Sequence, residues 1–262
     1  MIDLHSHILP GIDDGAPDMD ASLEMARAAV ADGVNTMIAT PHVNFDYPTA
    51  ADDMSRAVGH LNVALARAEI ALAVLPGAEL AVTKIDSLDA DDLSAFGLGG
   101  AKAVLLECPY TTSVPFFEDQ VADLERRGYR VLLGHPERSP LFRDDLDRLR
   151  RLVDNGALAV VNAGSIAGLL GERSREAAYD MVAAGWIHAV ASDSHDVRRR
   201  PPGMTAAFAA ADEELPGIAD QIGWYTADAP GAIIGGRPLP PRPDPPQRRK
   251  APKKRFRGLR RS

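Results

Sequence analysis

The chain has 262 residues, is 45% hydrophobic and carries a formal net charge of −8, so it can bury the core of one large domain. Its single cysteine, Cys108, excludes an internal disulfide framework and suits a reducing compartment. The N-terminus lacks a basic region followed by an apolar stretch, and no apolar run approaches the ~18 residues of a membrane span, so a soluble cytoplasmic protein is expected.

The elements follow a repeated unit: a helix stopped at glycine, a short apolar run, then a polar residue of metal-ligand type. The chain opens into an apolar-alternating run with His5 and His7, which share a strand face at i and i+2 and can reach one point. The Pro10-Gly11 turn can fold Asp13 or Asp14 back over the strand end. Asp18 or Asp20 caps a helix through Leu23, Ala26 and Val30 that stops at Gly33. Val34–Thr40 then leads to His42. A second helix runs through Ala57, Leu61 and Leu65, and Ile70–Leu75 leads to Glu79. Residues 81–100 are less regular.

Ala101–Leu106 runs into Glu107. Pro115 suits the first turn of a helix bearing Phe117, Val121 and Leu124. Tyr129–Leu133 delivers His135. A helix through Leu146, Leu149 and Leu152 stops at Gly156, and Ala157–Val161 reaches Asn162. A helix through Ala178, Met181 and Val182 stops at Gly185, and Trp186–Ala191 leads to Asp193 and His195. A helix near Ala206–Glu214 and a segment to Ile234 complete the body.

Seven apolar runs alternating with amphipathic helices predict a parallel sheet covered on both sides. Six of the seven end in His, Asp or Glu. A closed β/α barrel brings all its strand ends to one mouth, whereas an open doubly wound sheet binds only near a switch point, so the pattern favours the barrel.

The candidate ligands are His5, His7, Asp14, His42, Glu79, Glu107, His135, Asp193 and His195. Taken singly, each reads as structural: Glu79 or Glu107 as a salt-bridge partner, His135 bonded to a loop carbonyl, Asp193 as a helix cap. Nine nitrogen and oxygen donors at strand ends together suit two or three metal ions. Such a cluster makes hydroxide near neutral pH and stabilises the attacking and leaving oxygens of a phosphoester. Without thiolate in the set, manganese, iron and zinc all stay open. Arg138 and Arg200 are candidate catalytic residues. The planar fork of Arg138 can hold phosphate oxygens bidentately; its alternative is an ion pair with Glu137 or Asp144. Arg200 can reach the same mouth or be one of a solvated run, Arg198–Arg200. Cys108 is no phosphatase nucleophile, because Val114 stands where a Cys-x5-Arg loop needs arginine. His60, His188, Trp186 and Trp224 read as structural.

His5-x-His7, His42 after Thr-Pro, Gly-Ala-Glu79, Glu107, His135-Pro-Glu-Arg138 and Ser-Asp193-Ser-His195 together resemble the PHP (polymerase and histidinol phosphatase) superfamily. Asp-Leu-His-Ser-His with Asp-Asp-Gly, and Arg200-Pro-Pro, look most like the capsule- and exopolysaccharide-operon tyrosine phosphatases, which are manganese-dependent. Over residues 1–235 the resemblance implies a single-domain, distorted seven-stranded β/α barrel of PHP type with a trinuclear Mn2+ cluster. It implies Arg138 as the phosphate clamp. The implied substrate is the phosphotyrosine tail of a membrane-anchored tyrosine kinase. The competing readings are a phosphatase for a small metabolite such as histidinol phosphate, which long closing loops would favour, and a non-catalytic adaptor, against which the complete ligand set argues.

Residues 236–262 lie outside that resemblance. They hold 11 Lys/Arg and one Asp, whereas residues 1–235 hold 18 Lys/Arg against 36 Asp/Glu. Proline and basic residues predict a disordered tail. It can tether the protein to an anionic inner membrane face; the alternatives are non-specific nucleic-acid binding, or folding back onto the acidic body. No specific nucleic-acid partner is expected, since that body repels DNA.

Overall fold

A computed structural model describes residues 1–249. In chain order the elements are β1 (Ile2–Ser6), α1 (Met19–Ala31), β2 (Thr36–Ala39), β3 (His42–Val43), α2 (Ala51–Arg67), β4 (Ala73–Leu75), β5 (Glu79–Ala81), α3 (Ala90–Ala95), β6 (Ala103–Glu107), α4 (Phe117–Arg126), β7 (Arg130–Gly134), α5 (Pro140–Arg143), α6 (Leu146–Asp154), β8 (Leu158–Asn162), α7 (Ala163–Ile166), α8 (Glu172–Ala183), β9 (Ala189–Ala191), α9 (Thr205–Ala211) and α10 (Ala229–Ile234). Asp18, rather than Asp20, caps α1 by accepting from the Ala21 amide. Helix α4 starts at Phe117, two residues past Pro115, and α9 ends at Ala211, short of Glu214.

Among the described residues these strands pair in parallel, in two sheets ordered β1-β2-β4 and β3-β5-β6-β7-β8-β9. The seven apolar runs therefore become nine strands, because two runs break. The second run divides at Thr40-Pro41 into β2 and β3, proline having no amide to give the ladder. The third divides at Pro76-Gly77-Ala78 into β4 and β5, so Glu79 opens a strand rather than closing one. Gly77 is needed at that break: a Cβ there would lie 2.7 Å from Ile38 Cγ2. Beyond β9 the chain returns to β1, with His7 N donating to Ser194 O (2.9 Å) and Asp193 N to His5 O (2.8 Å).

The strands are buried on both faces, which explains their unbroken apolar character. Val104, Leu106, Val131, Leu133, Ala159 and Val161 join the large core under the helices. Their alternates Leu105, Leu132 and Val160 form a second core with Leu4, Ile38 and Ile233. No helix among the described residues is long and apolar enough to cross a membrane.

The expectation of disorder from residue 236 fails for 236–249, which pack on the body. Leu239 packs against both cores, the Arg242 guanidinium lies 5.3 Å from the Trp224 ring centroid, and Gln221 donates to Asp244 O. Arg248, 6% exposed, bonds Asp180 (2.6 Å) and Glu176 (2.7 Å), with Glu214 at 3.5 Å. Opposite charge and proline stiffness make this docking cheap, since a polyproline-like segment has little freedom to lose. It is the folding-back alternative realised for this stretch. Residues 250–262, with seven of the 11 basic side chains, lie outside the described residues.

Candidate metal centre

The sequence builds this centre from strand ends and the loops that follow them. His5 is the penultimate residue of β1 and His7 lies just beyond it, and their Nε2 atoms are 3.2 Å apart. The Asp-Asp-Gly loop folds back as its turn residues predict, and Gly15 is required there: a Cβ would sit 2.0 Å from His7 O. His42 opens β3 and pairs in register with Glu79 of β5. Glu107 ends β6. His135 and Asp193, following β7 and β9, are two of the three non-glycine residues with positive φ among the described residues, at 39° and 50°. Left-handed backbone of this kind costs of order 1–3 kcal/mol and tends to sit at functional sites, where it aims a side chain.

All nine side chains singled out from the sequence converge. They form four overlapping groups of donor atoms within 4.8 Å of one another: His7-Asp14-His42-His195, His5-His7-Asp193, His5-Glu79-His135 and His42-Glu79-Glu107. Asp193 Oδ1 lies 3.4 Å from both His5 Nε2 and His7 Nε2. Glu79 Oε2 is 2.9 Å from His42 Nδ1 and 3.5–3.6 Å from the other two imidazoles. Of the residues shared between groups, Glu79 is the carboxylate, whose two oxygens can bridge neighbouring ions.

The donor set fits divalent cations. Two buried imidazole nitrogens face each other with carboxylates around them, an arrangement that a cation relieves. Among the described residues the buried Nδ1 atoms of His5 and His135 have no hydrogen-bond partner, and Glu79 Oε2 has no well-aligned donor. Burial would lower the His7 imidazole, but hydrogen bonds to Asp13 and Asp193 bring it up to about 10. Burial, with the Glu79 charge adding to it, pushes Glu107 up to about 7. Against the same burial, the imidazoles around Glu79 and Asp193 hold both carboxyls well below the usual range. Metal binding at such a centre displaces protons.

Both candidate arginines arrive at Asp193. Arg138 Nη1 donates to Asp193 Oδ2 at 3.0 Å, so its partner is neither Glu137 nor Asp144. Arg200 pairs with the same carboxylate, and its Nη1 lies 2.7 Å from His195 Nε2. Arg200 therefore stands apart from its neighbours Arg198 and Arg199.

Four further residues belong here that the sequence reading left out of the site. Asp13, passed over for Asp14, holds His7 Nδ1 at 2.7 Å and accepts from the His42 amide. Asn162 donates to Asp193 Oδ2; its place at the end of a strand was the available signal. Asp3 is buried beneath the pair and bonded to Ser192, on the same alternation as His5 and His7. Tyr110 stacks on His135 at 5.7 Å and 24°, which no spacing rule reveals. Cys108 is buried with the large core, and burial pushes its thiol well up. His188 lies in the core, its Nδ1 accepting from the Ala159 amide.

Residues 1–217 match the family described as Capsular polysaccharide synthesis, CpsB/CapC. Tyrosine-protein phosphatase YwqE of Bacillus subtilis (strain 168) is 39% identical over 201 residues, 76% of this chain and 79% of that protein. Tyrosine-protein phosphatase CpsB of Streptococcus pneumoniae is 26% identical over 220 residues, 79% of this chain and 88% of that protein. Among solved structures, one from the crystallographic work on YwqE from Bacillus subtilis and CpsB from Streptococcus pneumoniae, described as metal-dependent tyrosine phosphatases, superposes with a TM-score of 0.83. It is 34% identical, and the match covers 96% of this chain and all of that one. The lactonase Lmo2620 of Listeria monocytogenes, at 16% identity and a TM-score of 0.56, covers 89% of this chain and 94% of its own, a likeness of fold alone.

Proposed function

We infer that this chain, which belongs to the capsular polysaccharide synthesis family CpsB/CapC, is a metal-dependent tyrosine-protein phosphatase. The observation that carries the reading is the convergence of nine nitrogen and oxygen donors with two arginines on one carboxylate. Family relatives named tyrosine-protein phosphatases support the substrate class.

His5, His7, Asp14, His42, Glu79, Glu107, His135, Asp193 and His195 are the ligands in this reading, shared among two or three Mn2+ ions. Such ions supply a water of lowered pKa and Lewis-acid stabilisation of phosphoryl oxygens. Arg138 and Arg200, now turned to Asp193, bind the equatorial phosphate oxygens and offset the charge that grows there. Asp13 fixes the His7 tautomer, which points Nε2 at the centre. A phenol of pKa about 10 leaves without a strong general acid.

The finer architecture follows the same reading. The two sheets make one seven-stranded barrel of PHP type over residues 1–235, broken at Pro41 and at residues 76–78; the bonds between β1 and residues 193–194 support closure. The physiological substrate is the phosphotyrosine tail of a membrane-anchored kinase, met at the cytoplasmic membrane face.

The test is turnover of a phosphotyrosine peptide beside histidinol phosphate, with Mn2+ and after chelation. Hydrolysis of the peptide that chelation abolishes and Mn2+ restores is expected. Turnover that survives exhaustive chelation, or histidinol phosphate as the far better substrate, overturns the reading.

A further inference from the structure

Tyr110 lies in the loop after β6, at the edge of the metal centre. Its ring stacks on His135, and the Arg138 guanidinium lies 5.1 Å from its centroid. Yet half of the residue stays exposed. A large aromatic side chain that packs on a site and keeps open surface beside it is a platform for another ring.

We propose that Tyr110 is the residue that selects aryl phosphates, packing against the phenyl ring of the substrate while Arg138 holds its phosphate. The proposal rests on the phosphatase reading for the placement of the phosphate. In a tyrosine phosphoester the ring is tied to phosphorus through one oxygen. Fixing the phosphate at Arg138 therefore brings the ring within reach of the aromatic face next to it. An alkyl phosphate bound at the same place gains nothing from Tyr110. A second rim aromatic, Tyr47, stacks on His42 at 5.8 Å, but the carboxylates Asp13, Asp14 and Asp46 bear on it, and the arginine of its cleft, Arg56, is already paired with Asp53. The balance of charge there disfavours a phosphate. The competing role for Tyr110 is a buttress that merely positions His135 and Arg138.

The two roles separate in binding. The full chain loaded with Mn2+ is titrated calorimetrically with phenylphosphonate and with methylphosphonate, which share the anionic group and differ in the ring. The wild type is expected to prefer the phenyl compound. Tyr110→Ala should cut that preference about 2- to 10-fold, the size of one aromatic pair, and Tyr110→Phe should keep it. Four results overturn the proposal: no phosphonate binding by the wild type, no phenyl preference, an alanine variant that weakens both ligands equally, or a phenylalanine variant as poor as alanine. Turnover of the phosphotyrosine peptide is measured separately. Its failure with the phenyl preference intact overturns the phosphatase reading and leaves Tyr110 as the aryl platform.

Discussion

Asp193 Oδ2 receives Arg138, Arg200 and Asn162, while Oδ1 faces His5 and His7. One carboxylate thus joins the groups that would hold cations to the groups that would hold phosphate. Arg138→Ala is expected to lower kcat/KM on a phosphotyrosine peptide by roughly 10²-fold, as when a charge-stabilising donor is removed, with metal content unchanged by elemental analysis. A metal-free variant would instead assign Arg138 to the integrity of the centre. Asp13 makes a different prediction. Because it touches His7 Nδ1 and not the cation side, Asp13→Ala should weaken Mn2+ affinity by about 10- to 100-fold, the usual cost of losing a partner that orients a ligand. Equilibrium dialysis reads this directly, and unchanged affinity would refute the orienting role. Cys108→Ser should leave turnover within a few-fold, since the thiol is packed in the large core.

At the scale of elements, residues 236–249 act as a strap over α8 and the segment after α9. Arg248 is its anchor, with carboxylates on Glu176, Asp180 and Glu214 and its guanidinium 5.4 Å from the Tyr179 ring centroid. The arginine is 6% exposed, but Glu176 and Asp180 are 45% and 39% exposed. Those carboxylates regain water when the arginine is removed, so the loss falls below the ~3–5 kcal/mol of breaking a fully buried pair. Arg248→Ala should cost about 1–3 kcal/mol, or a fall in melting temperature of roughly 2–10 °C for a chain of this size, with kcat untouched. A fall in kcat at full metal loading would mean that the strap reaches the site. The strap was legible only as composition. Proline and arginine in alternation describe a stiff basic segment but do not say that an acidic groove awaits it.

For the molecule as a whole, acid sensitivity has a buried source away from the candidate ligands. His188 is buried, and burial together with the Arg242 charge lowers its pKa to about 3. The unfolded chain binds a proton near pH 6.5 that the folded chain refuses. Stability is therefore full above pH 6.5 and is lost as pH falls from there towards 3. His188→Asn, which keeps an acceptor for the Ala159 amide, should flatten that decline. Melting temperatures at pH 7 and pH 5 read it, and an equally steep decline in the variant would place the acid sensitivity elsewhere.

The amino-acid sequence by itself determined the alternation of helix and parallel strand, because burial on both faces leaves a run of apolar residues that needs no partner to be recognised. It also determined the nine candidate donors, because each follows or closes an apolar run, or lies in the loop after one, and such positions can be read directly along the chain. Tertiary structure alone decided the rest. The breaks at Pro41 and Pro76-Gly77-Ala78 depend on which neighbour each half-run pairs with, and the choice of Asp13 over Asp14 as the partner of His7 depends on how the loop folds around Gly15. The meeting of Arg138, Arg200 and Asn162 on Asp193 joins residues from three separate loops and strand ends. Spacing along a chain describes what one element presents; which atoms meet across elements is set by packing, and packing is a property of the whole.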